Sequence, residues 1–402
     1  MSCAAVVLIF ECTTSSTTGD WPQWRGADGT GVSRDTDWVE RFGPGGPRVL
    51  WEGHVGVGYA SVSVLDGRLY TAGWTDGHDV VYCLDAESGE TLWTHRYPMN
   101  RYNKQHDGGP AGTPAVCGGR VYTLSREADL ICLHAETGKV LWSKDLMEQF
   151  GAQLPRFAFT GSPVVYGDAL YVDVGRIIAF DRVGGDLLWR SKDYGAGYST
   201  PVLLEVDRRR LLAAFPQHGL VVLDASTGTE RAAYEWKNPY GNNAAMPVVN
   251  GNRIFISSAD DVGGVLLELA DESLRAVWQN REMRNKMATS VLLDGHLYGL
   301  DKAVLKCVSM ADGAVKWSQR GLGMGSLIAS AGKLIVMSED GELIIADAAP
   351  RSFDVRARAK VLDAPRCWTA PVLAGGRIYC RSSVGQLICL DMRAGSRETA
   401  AP

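Results

Sequence analysis

Two short patterns recur in the same order along this chain, and no other feature restricts its fold as much. Residues 81–93 read VYCLDAESGETLW and residues 130–142 read LICLHAETGKVLW. Weaker copies stand at 177–189, 221–228, 305–317 and 387–395, with degenerate copies at 266–278 and 343–355. Upstream of each lies the second pattern: a small residue, Pro and Val, a short turn, then an alternating strand. TPAVCGGRVYTLS (113–125) and APVLAGGRIYCRS (370–382) are examples, and 61–73 and 290–301 are the same unit without proline. The unit, roughly 36–52 residues long, occurs eight times.

Each unit reads as four antiparallel strands. Gly-Gly, Asp-Gly and Asn-Gly pairs supply the positive φ that tight hairpins need. Alternation in Arg120 to Leu124 and Arg377 to Arg381 buries one residue in two. Trp93, Trp142, Trp189 and Trp317 recur at one position, where a large ring fills the widening gap between neighbouring sheets. The last copy lacks a fourth strand, and Pro47–Trp51 matches Lys139–Trp142. The expected fold is therefore all-β: an eight-bladed β-propeller of four-stranded antiparallel blades, its ring closed by an N-terminal strand. The chain divides into a leader-like 1–19, a wrapping segment 20–48, the propeller 49–395 with 47–51 completing the last blade, and a tail 396–402.

Net charge is −5 with both signs scattered, and without a basic stripe a nucleic-acid partner is not expected. Ala4 to Phe10 is apolar and is followed by a polar stretch to Gly19, like the core and exit of a secretory leader without its positive start. Seven apolar residues cannot cross a bilayer, so the reading is export without a transmembrane span, as a monomer.

The repeat Asp-Ala-x-Ser/Thr-Gly-x-x-x-Trp is similar to that of PQQ-dependent alcohol dehydrogenase propellers and of BamB-like outer-membrane assembly proteins. Trp21 to Ser33 resembles the opening of PQQ-like repeat proteins of planctomycete-type bacteria. The resemblance covers about residues 20–395 and implies the fold more firmly than the chemistry. A PQQ site needs stacking surfaces, cations for three carboxylates, a calcium held by oxygen ligands and a carboxylate base. The vicinal Cys-Cys pair and the Cys-x-x-Cys-His haem motif that the resemblance would bring are missing.

If the Pro-Val strands line a central channel, the residues just before them ring its mouth. That set includes Tyr59, Tyr198, Asn242, Asn243, Met324 and Trp368, with Arg156, Lys286 and Arg366 nearby; Tyr59, Tyr198, Asn243, Trp368 and the three cations are the ligand candidates, and the cations suit an anion. Ala60, Gly112, Gly161, Ser199, Ala245 and Gly325 let the strands converge. Trp21, Trp24 and Arg25 are candidates for partner binding, since Trp and Arg often dominate binding energy; packing of this segment on the propeller is the competing reading. No pair of histidines has metal-binding spacing, so no metal site is assigned. His106-Asp107 reads as a solvated loop, and His134, in place of the repeat's Asp, as a turn residue. Asp260-Asp261 and Glu339-Asp340 read as polar turns. Cys83, Cys132, Cys307 and Cys389 share one repeat position and read as small buried hydrophobes.

The function this favours is an extracytoplasmic binding or scaffold protein without a recognisable catalytic motif, its partner an envelope protein or a small anionic ligand, with no cofactor required. The first alternative is a small PQQ-dependent or quinone-linked alcohol dehydrogenase, with PQQ and calcium at the channel mouth. The second is a polysaccharide-active propeller enzyme.

Overall fold

The structure, a computed structural model, describes residues 19–43, 45–104 and 106–394. The leader-like residues 1–18 and the tail lie outside the described residues. Eight sheets follow one another along the chain. Their innermost strands are Ser63–Leu65 (blade 1), Ala115–Cys117 (blade 2), Val164–Tyr166 (blade 3), Val202–Val206 (blade 4), Val248–Asn250 (blade 5), Val291–Leu293 (blade 6), Ser326–Ser330 (blade 7) and Val372–Ala374 (blade 8). Each blade meanders outward; blade 1 does so through Arg68–Thr75, His78–Asp85 and Thr91–Pro98. A five-residue helix, Leu146–Phe150, capped by the Asp145 side chain, leads from blade 2 towards blade 3.

Closure occurs in blade 8, where Arg48–His54 is the outer strand and Trp51 stands opposite Cys389. The closing strand runs on to His54 rather than stopping at Trp51. Arg381 secures the seam from inside, donating to the carbonyls of Ala60, Ala72 and Gly56 and to Thr71 Oγ1 at 2.6–3.1 Å. One buried guanidinium thus ties blade 8 to blade 1.

The recurrent tryptophans join each blade to the next. Trp93 of blade 1 donates through Nε1 to the Ala135 carbonyl of blade 2 at 2.9 Å. The same bond runs from Trp51 to Ala86, Trp142 to Val183, Trp189 to Ala225, Trp278 to Met310 and Trp317 to Ala349. The indole lies on the turn glycine of the next blade: a Cβ on Gly138 would come within 2.6 Å of Trp93. That glycine has φ +68°, so the repeat needs Gly there both for its turn and for the ring above it. The Asp before it builds the turn, as Asp85 Oδ1 accepts the backbone N–H groups of Glu87 and Ser88. His134 takes over this role in blade 2 by accepting the Glu136 N–H.

Small residues do allow the inner strands to converge. A Cβ on Gly112 would meet the Gly161 carbonyl at 2.9 Å, and one on Gly161 the Ser199 carbonyl at 2.8 Å. Cys83, Cys132, Cys307 and Cys389 are free and buried, whereas Cys117 is in a disulfide, which the sequence did not lead us to expect.

The segment expected to wrap the propeller instead crosses its axis. Trp21 exchanges backbone hydrogen bonds with Val64 of blade 1, and the Pro22 carbonyl accepts from Val116 of blade 2. Gln23 Oε1 accepts from Val165 N of blade 3. Gly29 approaches Val202 of blade 4 and Met246 at the start of blade 5. Arg25 donates to Thr289 and Ser290 beside blade 6, and Val32–Ser33 pairs in parallel with blade 7. Ser33 Oγ reaches the Leu373 carbonyl of blade 8. Residues 21–33 therefore touch all eight blades and plug one end of the channel.

Candidate functional site

The unplugged end holds a cavity of about 280 Å³. Its walls are the residues that enter the inner strands, and its floor is the plug, through Trp24 and Arg25. Aromatic rings follow one another along one arc of the mouth. Trp368 stacks on Tyr59 at 5.5 Å between centroids, tilted by 19°. His106 meets Tyr59 edge-on at 5.6 Å, Phe157 lies 5.9 Å from His106, and Tyr198 lies 5.9 Å from Phe157. The remaining arc, from blades 5 and 6, carries Asn242, Asp260, Lys286 and Met287.

Two carboxylates hold the aromatic wall in place. Asp107 accepts from Arg366 Nη1 and Ser383 Oγ, both at 2.7 Å, and from the Tyr59 hydroxyl at 3.3 Å. Burial pushes the Asp107 carboxyl up, but these hydrogen bonds and the Arg366 charge outweigh it, leaving the group below its ordinary value. Burial pushes the Tyr59 phenol up to about 12, keeping it a neutral donor. Glu339 accepts from Trp368 Nε1 at 2.9 Å and from Met324 N at 3.0 Å. Both carboxylates are engaged in positioning rings.

Below the rings runs a belt of hydroxyls. Thr113 Oγ1 accepts from Ser61 N, Ser162 Oγ from Thr113 N, and Thr200 Oγ1 from Ser162 N, all at 2.9–3.0 Å. Thr289 Oγ1 accepts from Met246 N in the same manner. Ser326 occupies the corresponding place in blade 7, but its buried Oγ has no partner.

Of the ligand candidates, Tyr59, Tyr198, Lys286 and Trp368 line the cavity. Arg366 joins them indirectly, through Asp107. Arg156 is exposed and lies over the Phe157 ring rather than lining the cavity. Asn243 has to be removed from the set: it is fully buried, donating to the Pro216 and Gln217 carbonyls and accepting from Ser258 Oγ. Its neighbour Asn242 faces the cavity instead. Trp21 and Arg25, 2% and 3% exposed, are too deeply buried in the plug to form a surface for an external partner, while Trp24 and Arg25 gain contact with the cavity. His106-Asp107 is not a loop apart from the site, and Glu339 is more than a polar turn. Only the ring geometry shows this, since each comes from a loop between strands whose local sequence is unremarkable. No group of three or more His, Cys, Asp or Glu side chains able to hold a metal occurs among the described residues, and none of their helices is long and apolar enough to cross a membrane.

Residues 77–319 and 301–398 match the family profile described as outer membrane protein assembly factor BamB. The chain is 26% identical to BamB of Escherichia coli K12 over 359 residues, covering 73% of this chain and 87% of that protein. It is 32% identical over 125 residues to the quinoprotein ethanol dehydrogenase of Pseudomonas putida, a match spanning 31% of this chain and only 18% of the enzyme. BamB from Moraxella catarrhalis superposes with a TM-score of 0.64 at 16% identity, covering 86% of this chain and 97% of that structure, a likeness of fold. Since the profile extends over most of its length, the chain belongs to the BamB family of PQQ-like β-propellers.

Proposed function

We propose that this chain is an extracytoplasmic binding or scaffold propeller that engages its ligand or partner at the open end of the channel. The observation that carries this reading is the mouth itself, a cavity closed below by the chain's own plug and walled by rings that Asp107 and Glu339 hold in position. Carboxylates committed to Arg366, Ser383 and Trp368 serve a preorganised binding surface better than a proton-transfer role. Export is supported by the name of the matched family and by the apolar run Ala4 to Phe10.

The dehydrogenase reading draws on the quinoprotein match, but the residues present do not suit PQQ with calcium. Asp260 is the one carboxylate lining the cavity among the described residues, whereas calcium takes six to eight oxygen ligands, usually including carboxylates. Of the lining cations, Arg126 is already paired with Asp79. No step through PQQ is derived.

The test is affinity capture from an envelope extract with the tagged full chain and with its Tyr59→Ala/Trp368→Ala variant. A partner retained by the parent and lost by the variant is expected. Capture indifferent to the variant, or fractionation of the protein with the cytoplasm, would refute the reading. Stabilisation by PQQ with calcium would favour the dehydrogenase in its place.

A further inference from the structure

The floor of the cavity contains a buried positive charge whose hydrogen bonds are incomplete. Arg25 donates to the carbonyls of Thr30 (2.7 Å), Ser290 (2.8 Å) and Thr289 (3.2 Å), but its Nε has no partner. These acceptors are neutral, and the guanidinium has no acidic partner among the described residues. A buried charge without a counter-ion is costly to a fold, and burial alone pushes this one down to about 9. Pinning the plug accounts for three hydrogen bonds; Arg381 at the seam also has a free Nε and no counter-charge, but of the two only Arg25 lines a cavity that a ligand could enter.

Ser326 adds an independent observation. It is 2% exposed, lines the same cavity and leaves its Oγ unpartnered, although four hydroxyls at equivalent places each cap a backbone N–H. A buried hydroxyl without a partner is unusual in a native structure. Above the floor stands the aromatic wall, and Asp260 and Lys286 on the remaining arc carry opposite charges, leaving Arg25 as the uncompensated cation of the floor.

Resting on the reading of the mouth as a ligand site, we infer that the floor receives the carboxylate of a small, singly charged, ring-bearing acid. Arg25 supplies the counter-charge and Ser326 a hydroxyl donor, while the ring of the acid lies against the wall containing Tyr59 and Trp368. The charged group is thus read by the plug and the ring by the blades. Aromatic acids and sugar acids share this chemistry.

The test is calorimetric titration and thermal shift of the full chain with benzoate, glucuronate and the neutral isostere benzamide. One of the two acids should bind, which of them distinguishing an aromatic from a sugar ligand, and benzamide should bind about ten-fold or more weakly than benzoate if the ligand is aromatic. Ser326→Ala should leave the melting temperature of the free protein unchanged, because no hydrogen bond is lost, yet weaken the acid by about three- to ten-fold. An unchanged affinity in Ser326→Ala overturns the inference, as does failure of both acids to bind. Benzamide binding as tightly as benzoate, and still dependent on Trp368, also overturns the charged floor but leaves the mouth as a ligand site. Partner capture decides that broader reading separately.

Discussion

If the indole latch joins blades, then removing it where it is buried should weaken the ring by a calculable amount. Trp93 is 9% exposed, lies on Gly138, packs 6.1 Å from the Tyr70 ring and donates at 2.9 Å to Ala135. Truncating a buried aromatic to Ala costs about 3–5 kcal/mol through lost burial and the cavity left behind. The Ala135 carbonyl keeps the Tyr70 hydroxyl, at 3.4 Å, so no further penalty for an orphaned acceptor is added. For 402 residues, an unfolding entropy of about 2.1 cal/mol/K per residue gives about 0.8 kcal/mol/K, so Trp93→Ala should lower Tm by about 4–6 °C. Trp142 makes the same bond from a more exposed position, and Trp142→Ala should cost about 1–3 kcal/mol. Thermal unfolding followed by far-UV circular dichroism, with urea titration alongside, measures both. A Tm change below about 1 °C for Trp93→Ala, or equal losses at the two positions, would refute the latch. The fold itself provides a comparison: Ala232 and Ala357 stand where the indole would, opposite Val222 and Ile345. In blade 4 the nearby Trp236 reaches Ser258 of blade 5 instead.

Two further predictions concern buried charges. Burial pushes the Asp173 carboxyl up to about 7, and its Oδ2 has no partner. With the folded value above the unfolded one of about 3.9, the contribution of this group to stability is greatest below about pH 4 and is lost as pH rises through 7. Asp173→Asn should therefore match the parent at low pH and exceed it by up to about 4 kcal/mol at pH 8; a difference independent of pH in parallel urea titrations would disprove this. Burial also pushes Asp79 up to about 6, more strongly than the adjacent Arg126 pulls it down. Arg126→Met, which strands that carboxylate, should cost about 3–5 kcal/mol at pH 8, and the double variant with Asp79→Asn should recover much of it. Equal stability of single and double variants would show that the pair contributes through packing alone.

The blades were legible because each repeat is a local device. An Asp that caps a turn, a Gly at positive φ and a Trp whose ring lies on the equivalent Gly of the next blade all fall within a dozen residues, and ring closure required only that Trp51 match Trp142. The floor of the site was not legible, because nothing in Trp21 to Ser33 indicates which end of a channel the segment enters. Asn243 was chosen over Asn242 for a similar reason. These neighbours lie in the segment that enters Val248–Asn250, and the sequence does not show which of them faces the axis. Asp107 and Glu339 were passed over because their roles depend on partners, Ser383 and Trp368, on other elements of the ring.

The plug has a consequence for how the molecule is assembled. Its residues are translated before the blades but complete their contacts only once blade 8 exists, since Ser33 bonds to the Leu373 carbonyl; the closing strand Arg48–His54 likewise waits for Gln386–Asp391. Until then the nascent chain presents open sheet edges at both ends. Completion is therefore registered at the centre of the ring, where a missing blade would leave the opening strand and the threaded segment without their final contacts.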